Sequence, residues 1–163
     1  ASAYSSADGV VPHLAGGAGL DTLQVSGGAS LNLTTIANQG LVDNGVYGSR
    51  LSSFEKIDLG TDTHANTLTL GLADVLDMTG TNLINAGSKA SLGWTGGSYD
   101  FGATEARHQM IIDGGSNDSI TTTGSFTDTH QTAIINGHTY EVYNQGSYAQ
   151  LLIESAMNRA GVQ

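Results

Sequence analysis

Residues 16–24 read GGAGLDTLQ, a spacing of glycine, aspartate and one large aliphatic residue that can build a calcium site. Every specified position of the repeat G-G-x-G-x-D-x-U-x is met, where U is a large aliphatic residue. Gly17 and Gly19 can turn backbone carbonyls toward a cation, Asp21 can supply a charged ligand, and Leu23 can anchor the following strand. The competing role for Asp21 is to close a turn on its own backbone. One nonapeptide is half of a site shared between neighbouring turns, so a partner turn is needed. Asp113, Asn117 and Asp118, bunched around two glycines in DGGSNDSI (113–120), are the expected partner. Their alternative reading is a solvated turn with an Asx cap.

Other residues with chemical potential form weaker patterns. His13, His64, His108, His130 and His138 include no pair at the i, i+4 spacing of a helical zinc site. Glu105 and His108, near Asp100, have the residue types of a hydrolytic cluster without its supporting motif. The chain has no G-x-S-x-G, and its glycine-rich segment leads into a strand instead of a phosphate-binding helix. The expectation is therefore a non-enzymatic protein. Trp94, Tyr99 and Phe101 could line a sugar or peptide pocket, or plug one end of a core. Thr67/Thr69 and Thr121/Thr123 are T-x-T pairs of the kind that can face ice, although two pairs do not make a lattice.

The elements that must position these groups read as strands. Leu23/Val25, Leu31/Leu33, Ile57/Leu59, Leu68/Leu70 and Leu76/Met78 alternate with polar residues, and the intervals are short and rich in Gly, Asn, Asp, Thr and Ser. That spacing leaves no room for crossover helices. It predicts an all-β fold, an irregular parallel β-roll or solenoid-like ladder with a C-terminal antiparallel meander. The meander follows from Asn136-Gly137, a type I′ turn signal within AIINGHTYEVY, and from a return strand that faces Leu151 and Ile153 inward.

The 163 residues fit one domain, with a linker-like start at 1–13, a long loop or insertion point at 80–104 and a frayed tail at 155–163. Five Lys plus Arg against fifteen Asp plus Glu, a net charge of −10, argue against nucleic acid and anionic membranes as partners. Divalent cations are the natural counter-charge. No cysteine is present, which excludes thiol chemistry and leaves bound calcium as the expected staple of a secreted domain. No apolar run is long enough to span a membrane. The Ser/Ala/Gly-rich start reads as part of a longer polypeptide.

Residues 16–24, together with SSFEKIDLG, NTLTLGLADVLDM, IIDGGSNDSI and NGHTYEVYNQGSYAQLLIE, resemble domains of large bacterial RTX (repeats-in-toxin) adhesins exported by type I secretion. The resemblance spans most of the chain, but tandem nonapeptides are absent. It implies a calcium-binding module of a secreted cell-surface protein that supports attachment or biofilm formation. Neighbouring domains of the same long chain would be its partners, with a glycan or peptide on a host or other cell surface as a further one. The alternatives are a glycan-, peptide- or ice-binding module and the non-catalytic tail of a secreted hydrolase or toxin.

Overall fold

The computed structural model describes residues 13–36, 39–42 and 46–163; the expected linker lies almost wholly outside them. Short strands recur in the order the alternation predicts. A first turn of chain holds β1 (Leu14–Ala15), β2 (Thr22–Gln24) and β3 (Ser30–Asn32), and a hairpin of β4 (Gln39–Val42) and β5 (Val46–Ser49) follows. A second turn holds β6 (Leu51–Ser52), β7 (Lys56–Asp58) and β8 (Thr67–Gly71), then the helix α1 (Leu72–Met78) and strand β9 (Trp94–Gly97). The third turn is β10 (His108–Asp113) and β11 (Ser119–Thr123). After it come the long strands β12 (Thr127–Ile135) and β13 (His138–Gln145), and the fourth turn is β14 (Ala149–Glu154) and β15 (Asn158–Gly161).

Equivalent strands of successive turns pair in parallel. β2, β7, β10 and β14 lie side by side, and so do β3, β8, β11 and β15. The register stacks like on like: Leu23, Ile57, Ile112 and Ile153 form one column, and Leu31, Leu68 and Ile120 another. These columns share a single apolar cluster with Leu59, Leu70, Met110 and Leu151. Burial of each such side chain stabilises the fold by about 1.5–3 kcal/mol.

The antiparallel part forms as expected. Asn136 and Gly137, at φ 51° and 83°, make the tight turn between β12 and β13, and β13 pairs with β14. Both central residues need positive φ, which is why Asn-Gly occupies a type I′ turn. The sheet thus continues from four parallel strands into β13, β12 and β9. Its other face carries a second apolar cluster, with Ile111, Val142 and Leu152 from the strands and Ile84 and Phe101 from the segment 80–104.

Three expectations are corrected. Leu76 and Met78 are not a strand pair: Leu72, Val75 and Met78 recur three residues apart on α1, Val75 and Met78 are buried, and Leu76 is exposed. The helix starts where the Asp74 carboxylate accepts the Gly71 N–H at 2.7 Å, which satisfies one of its free donors. The tail does not fray. β15 pairs with β11, and the buried Met157 packs so closely on Gly114 that any side chain there would collide with it. Segment 80–104 is not a bare loop: it holds β9 and packs Ile84 and Phe101 into the second apolar cluster.

Candidate functional site

The turn of residues 16–21 joins β1 to β2 and lies against the β6–β7 turn. Gly16 donates its N–H to the Ser52 carbonyl at 3.0 Å. A side chain on Gly16 would collide with the Ser53 carbonyl and with Asp21. Gly17 and Gly19 sit at φ 108° and 121°, a region L side chains rarely adopt. Asp21 N–H donates to Glu55 Oε2 at 3.0 Å, and the Asp21 carbonyl accepts from Lys56 at 3.2 Å. Glu55 is itself buried.

Among the described residues, Oδ2 of Asp21 is buried with no hydrogen-bond partner. A buried carboxylate oxygen without a partner costs about 1–3 kcal/mol. A cation at that oxygen would relieve the cost. An anionic oxygen donor suits a hard divalent ion such as calcium. No cluster of three or more His, Cys, Asp or Glu that could hold a metal occurs among the described residues. Asp21 and Glu55 would therefore supply the charge, and backbone carbonyls or water the remaining ligands. Glu55 was not singled out in the sequence. The signal for it is register: Asp21-Thr22-Leu23-Gln24 lies over Glu55-Lys56-Ile57-Asp58 in the next turn.

Asp113, Asn117 and Asp118 do not form the partner turn. Asp21 precedes β2, whereas Asp113 ends β10, two strands across and three residues further along the register. That offset is on the order of 10 Å in each direction. Asp118 is 2% exposed and both its oxygens accept backbone N–H groups, from Asn66 at 2.9 Å and Gly115 at 2.8 Å. Asn66 in turn accepts the Ala29 N–H at 3.0 Å and donates to the Leu59 carbonyl at 3.0 Å. Ala29, Asn66 and Asp118 thus clasp three successive turns at one corner of the coil. Asn117 is exposed and donates to the Thr63 carbonyl at 3.2 Å.

Asp113 belongs to a different network. It pairs with Lys56, and Tyr140 donates its hydroxyl to Asp113 Oδ1 at 2.7 Å. Burial, with the Asp113 charge beside it, pushes the Tyr140 phenol far up, so it remains a donor. Glu154, on the next strand, accepts the Gly114 N–H at 3.0 Å and pairs with His138 at 2.6 Å.

Trp94, Tyr99 and Phe101 come together on the second apolar cluster. Phe101 is buried, with Trp94 edge-on at 5.1 Å and Tyr99 tilted at 4.7 Å between ring centroids. Beneath them Gln109 and Gln150, both fully buried, bond to one another at 2.8 Å, and Gln150 donates to the Tyr99 hydroxyl at 2.8 Å. The Glu105 carboxylate faces Arg107 at 2.9 Å, and Nδ1 of His108 faces the Thr79 carbonyl at 2.5 Å. Both side chains are committed to structural partners.

The two T-x-T pairs, distant in sequence, are neighbours in the sheet. Thr67 lies beside Ser30 and Ser119, and Thr69 beside Asn32 and Thr121, on one face of the parallel ladder. In comparisons with known proteins, the chain matches no family model, no curated protein and no solved structure.

Proposed function

We propose that this chain is a calcium-stabilised structural module of a secreted bacterial surface adhesin, supporting attachment or biofilm formation and joined to neighbouring domains of the same long polypeptide. The observation that carries the calcium part is the unpartnered, buried Asp21 Oδ2 beside the buried Glu55, in the segment that fits the nonapeptide. Successive turns bury their aliphatic residues in one shared cluster, so a charge defect in one turn weakens the packing of the next. A cation at that turn would remove the defect where the coil is least covered. The acidic, cysteine-free composition supports the same reading, because it leaves metal binding as the available staple. The test is a thermal melt of the whole chain in millimolar calcium, after chelation, and after calcium is returned. The reading expects a reversible rise of the midpoint that Asp21→Asn abolishes; an unchanged midpoint would count against it.

A second reading, a face for a glycan or an ice surface, draws on the in-register hydroxyls of Ser30, Thr67, Ser119, Thr69 and Thr121. A glycan array and an ice-recrystallisation assay, each run with wild type and Thr69→Lys, distinguish it from the scaffold reading. Loss of a signal in the variant would favour a binding face.

A further inference from the structure

The first turn of the coil is built like the three that follow, but one side of it has no neighbour among the described residues. β2 and β3 are edge strands of their sheets at the same end of the coil, whereas the parallel strand at the other end of the larger sheet, β14, is covered by β13. Alternate residues of a parallel strand bond to opposite sides. The bonds from Lys56 N–H to Asp21 and from Thr67 N–H to Ala29 therefore leave the N–H and C=O of Thr22, Gln24 and Ser30 facing outward. The apolar columns break off at this edge too. Ile57, Ile112 and Ile153 are fully buried, yet Leu23 and Leu31 stay partly exposed and Leu14 is 42% exposed. Among the described residues, a groove of about 700 Å³ lies between the two edges, its apolar lining Leu14, Leu23, Val25, Ala29, Leu31 and Ile36 interleaved with polar side chains.

We propose that this groove is the docking surface for one further turn of parallel β coil, an extended segment with alternating aliphatic residues laid on β2 and β3. The inference deepens the structural-module reading and rests on it only for the source of the segment. Continuity with the existing ladder favours this occupant. The aliphatic columns, the polar outer positions and the free backbone groups all continue in register, and an added parallel strand meets the geometry already repeated between β2 and β7. β2 (TLQ) and β3 (SLN) also carry no Lys and no Pro, the residues native proteins place to block pairing at an exposed edge.

The test is a titration of the isotope-labelled whole chain with a synthetic peptide copying residues 13–36, the chain's own first turn, followed through backbone amide shifts. The expected result is saturable shifts at Thr22, Gln24, Ser30 and the groove residues, with none from a scrambled peptide. Leu31→Lys, which puts a charge in the groove, is expected to weaken docking at least about tenfold, a difference of about 1.4 kcal/mol. Ser30→Pro provides a second variant: it removes an outward N–H and the side-chain hydroxyl that accepts from Thr67 at 2.8 Å, keeps the backbone bonds to β8 and is expected to block docking without unfolding the chain. Docking that persists in chelator, with no calcium effect on the melt, would sink the calcium reading and leave this one standing. Absence of shifts at the highest soluble peptide concentration, or shifts elsewhere on the surface, would overturn it. So would dimerisation of the chain alone through the same edge in sedimentation, because the occupant would then be a second copy.

Discussion

Asp118 and Asp21 occupy segments that read alike, an aspartate following closely spaced glycines and preceding a strand, and the fold treats them in opposite ways. Asp118 gives one oxygen to the Asn66 N–H and the other to the Gly115 N–H, locking three turns together at the corner between the sheets. Asp21 holds its neighbour turn through its backbone, by donating to Glu55 and accepting from Lys56, while Oδ2 of its side chain is buried without a partner. The difference lies in what faces each carboxylate. Asp118 accepts two backbone N–H groups at a tight turn, whereas among the described residues no donor reaches Oδ2 of Asp21. An aspartate in a glycine-rich turn is thus a clasp where N–H groups converge and a candidate metal ligand where none reaches it.

The largest effect is expected at the clasp. Asp118→Ala strands a buried and a half-buried N–H donor, and should destabilise the chain by about 2–4 kcal/mol in urea unfolding. Asp118→Asn keeps one acceptor oxygen and should lose roughly half as much. If both variants lost less than about 1 kcal/mol, the corner would not be the clasp its geometry describes.

At Asp21 the sign should reverse. In chelator, Asp21→Asn removes the half-buried carboxylate whose Oδ2 has no partner and should leave stability unchanged or raised by about 1 kcal/mol. With a dissociation constant of about 0.1–1 mM, as extracellular modules show, 10 mM calcium should stabilise the wild type by about 1.4–2.7 kcal/mol and the variant by far less. Glu55→Gln should blunt the calcium response in the same way. Equal losses for Asp21→Asn with and without calcium would collapse the distinction between the two aspartates.

How much of this was legible follows the same division. Leu23, Ile57, Leu68, Ile112 and Ile153 announce strands because alternation is local, and the Asn136-Gly137 turn is legible because only a few dipeptides tolerate positive φ at both positions. The helix was missed because LADVLDM offers both a two-residue and a three-residue apolar spacing, and the Asp74 cap, not the apolar pattern, decides between them. The strand in the tail is not legible locally, because polar Asn158–Gly161 becomes one only through β11, a partner far away in sequence. For the candidate site, the turn of residues 16–21 was readable from its spacing, but Glu55 was not. Which acid meets Asp21 depends on the offset between successive turns, and those turns differ in length through their insertions. The same offset separates Asp113 from Asp21 and brings Thr67 beside Ser119.

Glu154 lies between the two aspartates in kind: one oxygen accepts the Gly114 N–H, as at the clasp, and the other pairs with His138 at 2.6 Å. The hydrogen bond to Glu154 and then its charge raise the His138 pKa above its ordinary value, against a small opposing effect of burial. A raised histidine pKa means that the pair's stabilisation is fully present below about pH 6.5, the unfolded value, and is lost as pH rises through the folded one. His138 is 54% exposed, so solvent screening limits the effect to about 0.5 kcal/mol. The difference in stability between wild type and His138→Gln, followed by urea unfolding from pH 5.5 to 8.5, should therefore shrink as pH rises. A difference that grew with pH would mean that the imidazole is held neutral in the fold, and Glu154 would then belong with Asp118 as a carboxylate engaged chiefly by the backbone.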